Sequence, residues 1–212
     1  MTARLDPRSA HTRAVALLHV RRRSLLGITG SPGAGKSTYA ESLVNDLTAA
    51  GHPVALVPMD GFHLAHSALV ARGLEAIKGA PTTFDVGGYV AMLRRLREPD
   101  GETVWAPRFD RDLEDAIAAS LPIPDEARLI VTEGNYLLLD QGPWAQVRPL
   151  LDECWYLEID HAVRRERLLA RHVRHGRGAA DAQLRTDGSD EANAQLISAT
   201  RRRADAILTQ PT

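Results

Sequence analysis

An α/β fold built on a mostly parallel sheet is the architecture this sequence predicts, and three observations predict it. Short apolar runs alternate with amphipathic stretches from residue 24 to residue 208, the signature of strands joined through helices. A glycine-rich octapeptide, Gly30-Ser31-Pro32-Gly33-Ala34-Gly35-Lys36-Ser37, separates the first apolar run from the first amphipathic stretch. Asp60 and Glu133 stand just beyond two further apolar runs, at the strand ends where open parallel sheets place their ligands. A chain of 212 residues, 44% hydrophobic and 25% charged, has room for one such domain and a small lid.

Each element follows from its own pattern. Residues 1–23 carry Arg4, Arg8, Arg13 and Arg21-Arg22-Arg23, with an apolar stretch from Ala14 to Val20. That stretch is too short and too late for a targeting signal, so residues 1–23 are expected to form an N-terminal helical segment before a domain spanning 24–212. Ser24 to Thr29 reads as a buried strand. Beyond Lys36, the residues Tyr39, Ala40, Leu43, Val44 and Leu47 recur at helical spacing until Gly51, a C-cap. Val54 to Val57 is a second strand; Val86, Val90, Leu93 and Leu96 mark a helix with Asp85 as its N-cap. Leu129 to Thr132 and Cys154 to Ile159 are the third and fourth strands. Ala162 to His175 and Glu191 to Ala204 read as helices, and Ala206 to Leu208 as a fifth strand.

The octapeptide matches G-x-x-x-x-G-K-[ST], a loop whose backbone N–H groups cradle nucleotide phosphates while its lysine reaches the β/γ-phosphates and its hydroxyl holds Mg²⁺. A helix N-terminus behind it adds unpaired donors and the positive dipole end. The chain has only two lysines, Lys36 and Lys78, so a lysine at the motif position points to a need for a compact charge. The nucleotide-binding set is therefore Gly30, Ser31, Pro32, Gly33, Ala34, Gly35, Lys36, Ser37 and Thr38. Asp60 has the position to orient a hydroxyl and accept its proton, and Glu133 to hold Mg²⁺ beside Ser37.

Four ordered stretches carry a family resemblance: Gly27-Ile28-Thr29-Gly30 into the loop, Met59-Asp60-Gly61-Phe62, Lys78-Gly79-Ala80-Pro81-Thr82-Thr83-Phe84-Asp85, and Thr132-Glu133-Gly134-Asn135-Tyr136. Together they resemble the P-loop kinase family of uridine kinase, phosphoribulokinase and type I pantothenate kinase. They are most similar to bacterial members described as nucleoside- or fructose-transport-associated kinases. The resemblance spans about residues 24–208. It implies a P-loop NTPase fold with a five-stranded parallel sheet, helices on both faces and a small arginine-bearing lid, about 164–190. It further implies ATP and Mg²⁺ as cofactors and transfer of the γ-phosphate to a small-molecule hydroxyl. Asp60 becomes the base, with Phe84, Asp85, Arg108 and Tyr136 beside the substrate. Arg108 departs from the family pattern, a cation that would suit an anionic acceptor or pair with Asp110.

Arg164, Arg167, Arg171 and Arg174 are spaced three, four and three apart, which places them in one sector of a helix. Of these, Arg167 and Arg171 are the expected catalytic pair with Lys36 and Asp60, and Gly176 and Gly178 the hinge of the lid. A net charge of −1 and 5% aromatic residues argue against nucleic-acid or anionic-membrane partners. The single cysteine, Cys154, suits a cytoplasmic protein; an oligomer is compatible with the sequence but not legible in it. Competing readings are a regulatory nucleotide hydrolase and a non-catalytic nucleotide-binding protein. The sequence lacks the N-K-x-D segment of guanine-reading switches and the S-G-G-Q signature of transporter ATPases.

Overall fold

The structure, a computed structural model, describes residues 2–209; Met1 and residues 210–212, which the expected segment boundaries include, lie outside the described residues. The chain opens on β1 (Ala3–Leu5) and α1 (Pro7–Leu17), followed by β2 (Ser24–Thr29), α2 (Lys36–Ala49) and β3 (Val54–Pro58). Next come a short α3 (His66–Ala71), α4 (Val86–Arg97) and the strands β4 (Val104–Asp110) and β5 (Asp115–Ile123). The remaining elements are β6 (Leu129–Glu133), β7 (Glu153–Glu158), α5 (His161–Arg174), α6 (Ala179–Arg185), α7 (Glu191–Ala199) and β8 (Ala206–Thr209).

Six strands form one sheet in the order β1-β8-β7-β2-β6-β3, and every pairing in it is parallel. The expected sheet had five. The sixth strand is β1, which pairs with β8 through Ala3, Arg4 and Leu5 and shows that residues 1–23 are not purely helical. A three-residue edge strand in which only Leu5 is buried has no apolar run to announce it. β4 and β5 form a separate antiparallel hairpin, and the helix expected to reach Ala204 ends at Ala199, continuing as a 3₁₀ turn over Arg201–Arg203.

Side chains alternate across the sheet at the two-residue strand period. Leu25, Ile130, Cys154 and Tyr156 enter one core with Tyr89, Leu93 and Trp144. Leu26, Ile28, Val131, Trp155 and Leu157 enter the other with Ala40, Leu43 and Leu47 of α2 and with α1. The base of the sheet is held by Arg23, 2% exposed. Its guanidinium donates to the carbonyls of Ala127, Leu96, Pro124 and Asp125 at 2.7–3.1 Å, so this member of the N-terminal arginine cluster is a structural clamp. At the opposite end, the carboxyl ends of β2, β3 and β6 open into one cleft.

Candidate active site

Central β2 delivers the phosphate loop, and Gly35 turns it into α2 with φ of 89°. Gly33 (φ 81°) lies so close under α5 that a Cβ there would stand 2.8 Å from Leu168 Cγ. Lys36, 8% exposed, is held back on the loop by donating to the Ser31 carbonyl at 3.1 Å. Burial lowers its pKa to about 8, against the opposing pull of Glu133 and Asp60. Glu133 closes β6 at 4% exposure and accepts from Ser37 Oγ at 3.1 Å. Burial, with the charge of Asp60 added, pushes its carboxyl up to about 7.

The two acids are fixed by what lies behind them. Thr132 Oγ1 donates to the Val57 carbonyl at 2.6 Å, and that hydroxyl in turn accepts from Tyr89 at 2.7 Å. The first bond ties the end of β6 directly to the end of β3, and the second adds the buried Tyr89 of α4 to the same hydroxyl. Asp60 follows in a 3₁₀ turn, Met59–Phe62, against which the β4–β5 hairpin packs; at Gly61 a Cβ would collide with the Pro107 backbone.

These elements enclose a cleft of about 480 Å³. The phosphate loop, Asp60, Glu133 and Arg171 line one side of it, and His63, Lys78, Phe84 and Phe109 line the other. A second cavity of about 230 Å³ lies beneath the hairpin and shares Ser37, Asp60, Phe109, Arg111 and Glu133 with the first. His63 packs between Phe84 and Phe109 with its ring tilted to both, the ring centroids 4.0 and 4.9 Å away. Its Nδ1 sits 2.8 Å from the Asp60 carbonyl oxygen, and burial lowers its pKa although Asp60 opposes the shift. Lys78 lies over the Phe109 ring at 5.1 Å and donates to the Glu114 carbonyl.

Among the expected site residues, the structure gathers Pro32, Gly33, Lys36, Ser37, Asp60, Phe84, Glu133 and Arg171 on the cleft. It places others elsewhere. Asp85 is exposed and caps α4, accepting from Gly88 N at 2.8 Å. Tyr136 is 1% exposed and donates its hydroxyl to the Gly79 carbonyl, supporting the loop that carries Phe84. Arg108 faces the second cavity, while Asp110 accepts from the backbone N–H groups of Asp112 and Leu113. The arginine row of α5 splits. Arg164 is buried and pairs with Glu191; Arg167 and Arg174 are exposed and line neither cavity. At 3.6 residues per turn, Arg171 lies about 20° from Arg164 and the packed face, whereas Arg167 is turned about 60° away.

The sequence assigned no site role to His63, Phe109, Arg111, Arg177 and Arg185, all of which line the cleft. Phe109 lies between Arg108 and Asp110 and Arg111 directly follows them, but only the hairpin brings them to Asp60. Arg185 arrives from α6 and carried no periodic signal.

The donor set fits a nucleoside triphosphate and Mg²⁺. Lys36 and Arg171 supply fixed positive charge, and Ser37 with Glu133 offers the hydroxyl and carboxylate that Mg²⁺ takes alongside phosphates and water. Among the described residues no cluster of three or more His, Cys, Asp or Glu forms a protein-only metal cage. No helix among them is long and apolar enough to cross a membrane.

Comparison with known proteins agrees with this geometry. A family model described as methylmalonyl Co-A mutase-associated GTPase MeaB matches residues 8–66, the segment around the phosphate loop. Protein C227.14 of Schizosaccharomyces pombe, a proposed uridine kinase by name, is 32% identical over 94% of this chain and 88% of its own length. The uncharacterized protein YggC of Escherichia coli is 33% identical, over 92% and 81%. A crystal structure from Silicibacter sp. TM1040, proposed by its name to be a fructose transport system kinase, is 39% identical. It superposes with a TM-score of 0.84 over 95% of this chain and 98% of that one. The YFH7 structure from Saccharomyces cerevisiae shares the fold, with a TM-score of 0.82 at 18% identity. By sequence kinship across nearly its full length and by fold, this chain belongs to the P-loop kinase family in which those uridine kinase-like and YFH7-like proteins stand.

Proposed function

We propose that the protein is a Mg²⁺-ATP-dependent kinase that transfers the γ-phosphate to a hydroxyl group of a small metabolite. The observation that carries the reading is that Asp60 lines one cleft together with Lys36, Ser37 and Glu133. ATP enters as the phosphate-donating substrate. Lys36 and Arg171 hold its phosphates and take up charge as the transfer proceeds. Mg²⁺, held by Ser37 and Glu133, would neutralise the phosphate oxygens when bound. Asp60 accepts the proton of the acceptor hydroxyl as that oxygen bonds to the γ-phosphorus. The bond to the β–γ bridging oxygen breaks and ADP leaves with its electron pair. The arginine-bearing segment over the loop, with Arg171, Arg177 and Arg185 on the cleft, serves as the lid that excludes water.

A nucleoside, a sugar or polyol, and pantothenate are all acceptors within the family's chemistry. The need for ATP and the buried lone thiol of Cys154 suit the cytoplasm. The GTPase family model over residues 8–66 favours a regulatory hydrolase as the second reading, against which stands the missing guanine-reading segment. An ATP-consumption screen across nucleosides, sugars, polyols and pantothenate, with mass detection of product, tests the proposal. A phosphorylated acceptor supports it; steady hydrolysis with no phosphorylated product overturns it in favour of the regulatory hydrolase.

A further inference from the structure

Six lysine and arginine side chains line the cleft against five carboxylates, and the cations reach it from two sides. Lys36 sits in the field of Arg171, Asp60 and Glu133, which defines the phosphate-donor side. Lys78 and Arg185 meet on the other side: Arg185 reaches from α6 and donates to the Lys78 carbonyl at 2.7 Å. Asp60 connects to them through His63, whose ring contacts Phe109, over which the Lys78 ammonium lies. This wall therefore stands at the acceptor end, beyond the base.

The charges here are incompletely compensated. Lys78 has Glu114 at 3.4 Å, but that carboxylate is 61% exposed. Arg185 is half-buried and forms no ion pair among the described residues. Burial lowers its pKa and Arg177 and Arg171 lower it further, against the opposing pull of Asp190 and Glu114, neither of which forms an ion pair with it. Arg111 also lines the cleft without an ion pair among the described residues. A desolvated guanidinium beside other cations is costly until an anion meets it, and planar guanidinium suits carboxylate and phosphate oxygens.

We propose that the phosphate acceptor is an anionic alcohol, a hydroxy acid or a phosphate ester, whose negative group is bound by Lys78 and Arg185 while its hydroxyl faces Asp60. The proposal rests on the kinase reading above and narrows its acceptor. Arg111 lies on the hairpin side of the same space and adds to the positive wall. Because Arg185 belongs to the lid and Lys78 to the acceptor loop, an anion bridging them also holds the lid down over the reacting groups.

The test uses the intact protein, Mg²⁺-ATP and matched acceptor pairs: pantothenate with pantothenol, glycerate with glyceramide, and ribose 5-phosphate with ribose. ADP release and product mass are both read. The expected result is turnover of an anionic member with kcat/KM at least about 10-fold above its neutral partner. Carboxylate and phosphate-ester arms then identify which anion is taken. Arg185→Ala lowers kcat/KM for the anionic member by roughly 10- to 100-fold, the range for one charge-assisted hydrogen bond, and leaves the ATP KM within about 2-fold. Equal turnover of a neutral partner overturns the proposal while leaving the kinase reading standing. An ATP KM that rises in Arg185→Ala with acceptor KM unchanged overturns it too, by assigning Arg185 to the nucleotide. Absence of product from every pair, with a neutral nucleoside phosphorylated in the wider screen, overturns the proposal alone; absence of product across both removes the kinase reading as well. The wild-type pairs need no variant, so a misfolded Arg185→Ala leaves the comparison intact.

Discussion

Replacing Gly33 by alanine tests how the lid and the phosphate loop are joined. The position combines φ of +81° with a missing Cβ that would stand 2.8 Å from Leu168 Cγ and 3.0 Å from the Arg164 carbonyl oxygen. Left-handed backbone costs alanine about 1–2 kcal/mol. The Leu168 contact falls short of the 3.4 Å onset of ordinary contact by 0.6 Å (3.4 − 2.8), so α5 must shift or the loop distort. Overpacking of that kind costs about 1–3 kcal/mol. The sum, about 2–5 kcal/mol, corresponds to a fall in Tm of roughly 4–20 °C for a chain of this size. Gly51 is the matched control, with the same φ of +81° and nothing within 4 Å of its added Cβ. Gly51→Ala should lose only the backbone part, roughly 2–8 °C. Thermal melts of both variants with and without Mg²⁺-ATP separate the two contributions, and Gly33→Ala alone should lose the ligand-induced rise in Tm. A Gly33→Ala melt no lower than that of Gly51→Ala, with the nucleotide response intact, refutes the tight seating of α5 on the loop.

Other outcomes follow from the same geometry. Arg23→Met strips four carbonyls of a buried charged donor, and urea unfolding should show a loss of about 3 kcal/mol or more with nucleotide affinity unchanged; a loss below about 1 kcal/mol contradicts the clamp. Arg171→Ala should reduce kcat/KM at least about 10-fold and Arg167→Ala less than about 2-fold, since only the first lines the cleft; the reverse order in steady-state rates sinks the placement of α5. His63 is kept neutral by burial, so its folded pKa lies below the unfolded value. The unfolded chain then takes up the proton first, and the contribution of His63 is complete above about pH 6.5 and lost as pH falls through the folded pKa. His63→Phe should flatten that acidic decline in a series of pH-dependent melts, and an unchanged slope argues against a buried neutral imidazole.

What was legible in the sequence was local. The phosphate loop is eight consecutive residues, and Asp60 and Glu133 follow directly from the apolar runs that end at them. Strands β2 and β6 are buried along their whole length and read as continuous apolar segments for that reason. β5 escaped notice because Asp115-Ala116-Ile117-Ala118-Ala119-Ser120-Leu121-Pro122-Ile123 has little strand propensity. It also bends, with Ala119 at φ of 53° and a register shift between Ala106 and Arg108 on its partner. Its place is set by pairing with β4, whose Pro107 backbone packs over Gly61. Arginine spacing on α5 located a face but not its direction, because a four-residue repeat cannot say which edge turns inward. The acceptor wall was least legible: Lys78, Phe109 and Arg185 come from three separate segments and meet only once the hairpin and the lid have folded onto the sheet.

In the proposed mechanism Asp60 serves the acceptor hydroxyl and not the nucleotide. The most direct measurement is phosphoryl transfer to an identified acceptor by Asp60→Asn, alongside its ATP dissociation constant. Asparagine preserves size and one hydrogen-bonding oxygen but takes up no proton, so the transfer rate should fall by about 10²–10⁴ while ATP affinity stays within about 2-fold. Near-normal turnover by Asp60→Asn, or a loss confined to ATP affinity, would contradict the assignment.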